Sequence, residues 1–488
     1  MLTSNNIFAS KHCIFMRKLL FPLSITIFSL SVAYAETDPS MDSLLKVPFD
    51  ELVDMEIISA TKIATKLSAT PSTVTTYDYK EIKALGARTL SDILVLVPGI
   101  HIQVKGNNRQ KLWVRGVQSE FNNKVAMYID NIPVRNAFNE FPIDEELPIE
   151  SIKKIEIIRG PGSALYGANA FAAVINIFTF QAGEREENLV KFGIGEADTI
   201  LGYFSAGTNL SDIADVVLEG KWLTTEGRQP NYDRKGIENS RSGEQQLGHI
   251  RFKLSALDKD LLFSASYNNF ENTRVDKSEP IENDREYESL RFSLAYAHQF
   301  NHWGIDFNTY YTQSTRLETE TRFPQLGNII QTRESQFIDR TELTGAYATI
   351  NYQAFESNQL VLGVDVKWEH LMESKFSNSL SDEVFSFVKP TYQNLSLLDT
   401  GFFLQDSQYF FDKKTQLTLG IRYDVLELFD NQFSYRIGLT HAFTDTISAK
   451  LLYGTAYRSP SFLEFTRSPE GSELPDVETM QTIEAQIG

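Results

Sequence analysis

After Gln181 the sequence alternates apolar and polar residues one by one, in segment after segment. Leu417, Leu419, Ile421, Tyr423 and Val425 interleave with Gln416, Thr418, Gly420, Arg422 and Asp424. Leu360, Leu362, Val364, Val366 and Trp368 do the same against Gly363, Asp365 and Lys367. Successive side chains of a strand point to opposite faces, so a period of two marks a strand with one apolar face. About thirteen such strands follow one another, with a partial one at the end, and no amphipathic helix interrupts them.

The connections between these strands alternate in length. "TTEGRQPNYDRKGIENSRSGEQ" is followed by "ALDKD", and "ENTRVDKSEPIENDREYE" by "FNH". "QSTRLETETRFPQLGNIIQTRESQFIDRTE" is followed by "FESNQ", and a long segment ending in "SLLDT" by "FFDKKT". Long loops at one end and tight turns at the other are the pattern of an antiparallel transmembrane β-barrel. Lipid satisfies no backbone hydrogen bond, so only helices and closed barrels span it, and the outward face of a barrel must be apolar. The expected fold class is therefore a β-barrel, entered from a smaller domain at the N-terminal side.

The N-terminus carries an export pattern. Arg17 and Lys18 precede an apolar run from Leu19 to Val32, and Ala33-Tyr34-Ala35 offers a small-x-small cleavage site before Glu36. Residues 1–35 are accordingly expected to be a signal peptide, with translation starting at Met1 or Met16. No other stretch approaches the ~20 apolar residues of a transmembrane helix. The single cysteine, Cys13, lies inside the leader, so no disulfide is available to the exported chain. A net charge of −18 disfavours nucleic acid as a partner.

Between the leader and the barrel the pattern changes. Ser72–Tyr77 reads as a strand, Tyr79–Leu85 as a short helix stopped by Gly86, and Leu90–Val97 as a second helix closed by Pro98-Gly99. "HIQV", "KLWVRGV" and "KVAMYIDNIPV" read as strands. "SIKKIEIIRGPGSALYGANAFAAVINIFT", Ser151 to Thr179, breaks a charged strand with Gly160-Pro161-Gly162 and closes on an apolar strand. A phosphate cradle needs a helix starting at such glycines, and a Lys-Ser or Lys-Thr pair; the run after Gly167 is β-rich and no such pair is present. The glycines fit a strand turning where backbone approaches backbone. This is a compact α+β domain.

"LWVRGV", "VAMYIDNIPV" and the Ser151–Thr179 stretch together resemble the plug domain of TonB-dependent outer-membrane receptors, siderophore and cobalamin receptors among them. The plug motif falls on Gly160, Pro161, Gly162, Tyr166 and Gly167. "MEIISATK" resembles the TonB box that precedes such plugs, at Glu56, Ile57, Ile58, Ser59, Ala60 and Thr61. "LLYGTAYRSPSFLEF" and "SELPDVETMQTIEAQIG" resemble a late barrel strand, its loop and the next strand. The implied organisation is a periplasmic segment with the box at 36–62, a plug at 63–180 and a partial barrel at 181–488. Plugged transporters have 22 strands. About fourteen are counted here, so an incomplete barrel is expected, a truncated gene product or fragment whose sheet edges would lack partners in lipid.

The resemblance implies energy-coupled uptake of a scarce, large ligand, with a ferric siderophore as the first reading and cobalamin as the alternative. Its implied partners are TonB with ExbB and ExbD, the extracellular ligand and outer-membrane lipids, in the outer membrane of a Gram-negative cell. No enzyme activity, cofactor or bound metal is implied. Strand addition suits "EIISA", which has neither glycine nor proline. Arg115 and Arg159 match plug arginines that pair with barrel glutamates in the family. The plug apices should be Val104–Lys111 and Val134–Asp144, where Arg109, Lys111, Arg135, Phe138 and Phe141 would meet an anionic, aromatic chelate. No histidine lies between Tyr457 and Glu478, which counts against haem. His298 and His302 flank a short turn and read as solvated turn residues. A barrel hydrolase would need a Ser/His or Asp/His set on the wall, and a passive porin or adhesin would need no plug.

Overall fold

The computed structural model describes residues 56–488 apart from 105–109, 119–122, 139–146, 182–183, 186–187, 228–244, 277–280, 323–324, 327–328, 331–332, 356, 381–391, 445–446 and 468–474. The expected signal peptide, Arg109 and Phe141 lie outside the described residues.

The described chain begins with a short antiparallel pair, β1 (Glu56–Ile57) and β2 (Thr65–Lys66). The N-terminal domain follows: β3 (Thr73–Asp78), β4 (Ile100–Val104), β5 (Gln110–Val114), β6 (Val125–Ile129), β7 (Ile132–Pro133), β8 (Ile152–Arg159) and β9 (Ala173–Thr179). Five of these form one mixed sheet in the order β3-β8-β9-β6-β7, with β6 and β9 parallel and the other neighbours antiparallel. β4 and β5 form a separate hairpin. β8 and β9 are covered on both faces: Ile155, Ile157, Ile175 and Ile177 are buried on one, and Glu156, Ile158, Val174 and Asn176 on the other.

Two helices flank this sheet. Asp78 and Glu81 form a capping box at Tyr79–Ala84, and Thr89 and Asp92 form another at Leu90–Leu94. The second helix ends three residues earlier than its sequence suggests. Leu96 and Val97 donate to the carbonyls of Ile93 and Leu94, which tightens the last turn before Pro98.

The remainder is one sheet of fourteen strands that follow one another in chain order, each paired antiparallel with the next strand of the sheet. It runs β10 (Leu189–Gly195), β11 (Thr199–Ser211), β12 (Ala214–Thr225), β13 (Gln245–Ala256), β14 (Leu261–Asp276), β15 (Ile281–Phe300), β16 (Trp303–Arg322), β19 (Arg333–Phe355), β20 (Asn358–Leu380), β21 (Tyr392–Phe410), β22 (Thr415–Leu426), β23 (Gln432–Ala442), β24 (Ser448–Arg458) and β25 (Glu478–Ile487). The two-residue strands β17 (Gln325–Leu326) and β18 (Ile329–Ile330) pair within the long β16–β19 connection. The sheet is not closed: among the described residues β10 and β25 each have one neighbour.

The sheet is inverted relative to a soluble protein. On β22 the polar set Gln416, Thr418, Arg422 and Asp424 is buried, while Leu419, Ile421, Tyr423 and Val425 are exposed. The two faces follow the sequence alternation, and the buried face lies against the N-terminal domain. Phe300, Trp303, Phe355, Phe410, Phe411 and Phe443 are exposed at the short-turn end, and the Trp303 and Tyr352 rings stand 4.3 Å apart. An apolar outer band closed by a ring of aromatics is what a lipid–water boundary selects. No helix among the described residues is long and apolar enough to cross a membrane.

Candidate functional site

The N-terminal domain sits against the concave, polar face of the fourteen-stranded sheet, so the site is the seam between them. The glycine-rich turn lies in that seam. Gly160 has φ +119°, and a Cβ there would come 2.5 Å from Oε1 of Glu484 on β25. Gly167 has φ +70°, and a Cβ there would meet Nη2 of Arg422 at 2.7 Å. Only glycine combines these backbone angles with so close an approach to the wall. One turn of helix, Ser163–Tyr166, starts directly after Gly162, where no helix was expected; at four residues it spans the turn and no more, and the run after Gly167 forms β9. Pro161 packs towards Gly454 of β24.

Charged pairs cross the seam at several heights. Arg115 donates from Nη1 to Glu484 Oε1 at 2.5 Å. Lys124 pairs with Glu478 at 2.6 Å, and Arg135 with Glu369. In the opposite sense, Asp130 pairs with Lys253 at 2.8 Å, and Glu150 with Lys191 and Lys221 at 2.9 and 3.3 Å. Burial alone would push the Asp130 carboxyl up, but Lys253 and Arg251 hold it below its ordinary value. Arg159 behaves differently from Arg115: its Nη1 donates to the Pro98 carbonyl at 2.6 Å, within the N-terminal domain. The resemblance to plug arginines pointed to Arg115 and Arg159; the other pairs join residues far apart in sequence that no local pattern connects.

The segment Glu56–Thr61 is tucked into this seam. Ile57, Ser59, Ala60 and Thr61 are buried, whereas Ile58 is exposed. It was expected as an extended strand, but strand pairing ends at Ile57. Ile58–Lys62 is a turn in which Lys62 N–H donates to the Ile58 carbonyl at 2.7 Å, with Lys62 in the left-handed region at φ 63°. Side chains replace the missing strand partner. The Glu156 carboxylate accepts from the N–H groups of Ile58, at 3.2 Å, and Ser59, at 2.8 Å. Tyr166 donates its hydroxyl to the Ser59 carbonyl at 2.7 Å, and Asn176 Nδ2 donates to Ser59 Oγ at 3.0 Å. From the wall, Arg436 donates to the Ala60 carbonyl at 2.7 Å and Gln405 to the Thr61 carbonyl at 3.3 Å.

A cavity of about 100 Å³ lies directly beside this segment, lined by Lys62, Tyr128, Tyr166, Tyr347, Asp365 and Arg422 among others. The Lys62 ammonium stands 3.9 Å from the centre of the Tyr166 ring and 5.4 Å from that of Tyr347. Burial pushes its pKa down to about 8, against the pull of Asp306 and Asp365. On the wall, Arg422 bridges Asp365 and Asp424, each at 2.6 Å.

The three described residues among those expected to meet a ligand are already engaged. Arg135 is held by Glu369, and Lys111 is buried. Phe138 is 3% exposed, in an apolar cluster with Leu371, Leu397, Phe462 and Leu463, and its carbonyl accepts from Leu463 N–H at 2.7 Å. The helix Phe462–Arg467, between β24 and β25, thus folds inward over the domain's apex. His298 is bonded to Asp260 at 2.5 Å, and among the described residues no group of three His, Cys, Asp or Glu side chains is placed to hold a metal.

Residues 66–174 match the family model for the TonB-dependent receptor plug domain, and residues 229–485 match that for the TonB-dependent receptor-like β-barrel. The vitamin B12 transporter BtuB of Vibrio vulnificus (strain CMCP6) is 23% identical over 425 residues, covering 86% of this chain and 65% of that protein. BtuB of Vibrio cholerae (strain M66-2) is 21% identical over 425 residues, covering 84% and 63%. The chain thus spans a little under two thirds of these relatives' length. Among solved structures, the siderophore receptor PiuA from Acinetobacter baumannii superposes with a TM-score of 0.66 at 14% identity, covering 90% of this chain and 72% of that one. The copper transporter OprC gives 0.64 at 16% identity, covering 85% and 68%.

Proposed function

The chain belongs to the TonB-dependent receptor family, and on that premise we propose that it serves energy-coupled uptake of a scarce, bulky metal complex across an outer membrane. The observation that carries this reading is the seating of Glu56–Thr61. A segment able to form a strand is held as a turn, by side chains of plug and wall, beside the cavity between them. Such a segment can be released and captured by an added strand of TonB, the route by which force would reach the plug.

For the ligand, the corrinoid class is the first reading. The relatives with 425 residues aligned carry the name of vitamin B12 transporters. One of the cations expected to receive an anionic chelate, Arg135, is paired with Glu369 in the seam. A ferric siderophore is the second reading, favoured by the siderophore receptors among the fold neighbours. The test is binding of TonB's purified periplasmic domain to the full chain in outer-membrane vesicles, with cyanocobalamin or a ferric catecholate siderophore added. Tighter binding with cyanocobalamin supports the first reading, and tighter binding with the iron chelate the second. No TonB binding under any condition contradicts energy coupling.

A further inference from the structure

Glu156 is a carboxylate with no exposure at all, on the interior strand β8 of the plug sheet, between β3 and β9. Buried acids need partners. This one has the Lys154 ammonium at 2.6 Å and two backbone N–H groups from a segment nearly one hundred residues earlier, Ile58 and Ser59. Lys154 also donates to the Glu56 carbonyl at 3.0 Å. The two N–H groups are consecutive along the chain. An ordinary strand turns consecutive N–H groups to opposite edges; here the turn at Ile58–Lys62 brings both onto one carboxylate.

We propose that Glu156 is the positioning residue that governs release of Glu56–Thr61: its carboxylate occupies the Ile58 and Ser59 N–H groups, one of which an incoming strand must take whichever edge of the segment it pairs with. The inference rests on the reading of that segment as the one captured by TonB. A carboxylate suits the task because charge-assisted hydrogen bonds are stronger than those to a neutral carbonyl. A partner strand offers only neutral carbonyls, so it cannot displace Glu156 bond for bond. The remaining holds on Ser59, from Tyr166 and Asn176, act on its carbonyl and hydroxyl and leave the N–H to Glu156 alone. Strand capture therefore requires a change in the plug that first loosens Glu156, and β8 is placed to pass one on. At its far end it runs through Arg159 into Gly160, which is packed against Glu484 of the wall.

The experiment uses the full chain in outer-membrane vesicles, with Cys13→Ser to remove the native thiol. A reporter cysteine is placed at Ala60, which is fully buried in the stowed segment, or at Ile93, equally buried in the plug core away from it. A membrane-impermeant maleimide is the probe. Glu156→Gln keeps the shape but replaces one acceptor oxygen with a donor amide. It should raise labelling at Ala60→Cys at least about tenfold, the equivalent of ~1.4 kcal/mol, and leave Ile93→Cys unchanged. Glu156→Asp keeps the charge but draws its oxygens away from Ser59, and should also raise labelling at Ala60→Cys. An unchanged rate at Ala60→Cys in Glu156→Gln overturns the proposal, as do equal rises at both reporters. A wild-type rate in Glu156→Asp also overturns it, because charge rather than hydrogen bonding would then be the hold. TonB's periplasmic domain, added separately, distinguishes the two claims. If labelling follows the proposal while the domain binds no variant, the hold stands and the energy-coupling reading fails.

Discussion

Ser59 and Glu156, 97 residues apart in sequence, are joined by a 2.8 Å hydrogen bond in which the buried Ser59 N–H donates to the Glu156 carboxylate. The same serine is bracketed by Tyr166 at its carbonyl and Asn176 at its hydroxyl. Three plug side chains therefore converge on one residue, and the stowed segment is held most firmly there.

Tyr166→Phe removes one of these holds and leaves the ring under Lys62 in place. A buried carbonyl that loses its donor costs about 1–3 kcal/mol. Amide hydrogen exchange across Glu56–Thr61 should accelerate by about 5- to 150-fold, the factor for one to three kcal/mol. Exchange in β9 should not change.

Gly160→Ala should unseat the plug from β25. The added methyl meets Glu484 Oε1, and the φ of +119° is one that alanine rarely adopts. Backbone strain of this kind costs about 1–3 kcal/mol. The expected result is a lower melting temperature for the plug and faster protease cleavage in it. The same substitution at Gly86, whose Cβ would meet nothing within 4 Å, isolates the backbone component because its φ is also positive.

The seam's ion pairs should differ in worth according to burial. Arg115–Glu484 is partly open, with the arginine side chain 36% exposed, so a double-mutant cycle should give about 1 kcal/mol or less. Glu369 is enclosed with both Arg135 and Lys367. Glu369→Ala leaves two cations without their shared carboxylate and should destabilise plug seating by about 3–5 kcal/mol. Denaturant unfolding of the cycle's variants and of Glu369→Ala, followed by plug fluorescence, checks the order.

The Lys62 ammonium gives a pH dependence with a definite sign. Its pKa in the stowed state is pushed down to about 8 by burial, while a released, solvated lysine titrates near its ordinary value of 10.5. A lysine with a depressed pKa binds protons less well when stowed, so stowing strengthens as pH rises from about 8 towards 10.5. The mobile fraction of a nitroxide attached through Ile58→Cys, in the Cys13→Ser background, should fall over that window. Lys62→Met should flatten the dependence.

The sequence alternation made the wall legible. Period two located both faces of β20 and β22 to the residue, because a strand buried on one side must alternate. The alternation of long and short connections marked the strands as antiparallel neighbours of one sheet. The plug motif also marked its glycines, since a positive φ and a tight approach leave little choice of residue. What stayed hidden depends on contacts between distant positions. Glu156 looked like one charged residue in "SIKKIEIIRG", and nothing local shows that its side chain reaches Ser59. Glu484 could not be matched to Arg115 because wall glutamates are interchangeable in a single sequence. Phe138 was read as a ligand contact because aromatic loop residues look alike; the inward fold of Phe462–Arg467 buries it instead. Ile58–Ala60 was read as extended on β propensity, and the side-chain bonds of Glu156, Tyr166 and Arg436 overrode that preference.

The most direct measurement of the account is binding of TonB's periplasmic domain to the full-length Ile58→Pro variant, compared with wild type. Proline at 58 removes a donor that Glu156 holds, and it also removes a donor that a captured strand would use. The stowed segment should loosen, with faster maleimide labelling at Ala60→Cys in the Cys13→Ser background, yet TonB binding should weaken by at least about tenfold, ~1.4 kcal/mol. Loosening without capture is the predicted result. Binding of the proline variant as tight as wild type, or tighter in step with the loosening, would contradict capture of Glu56–Thr61 by strand addition.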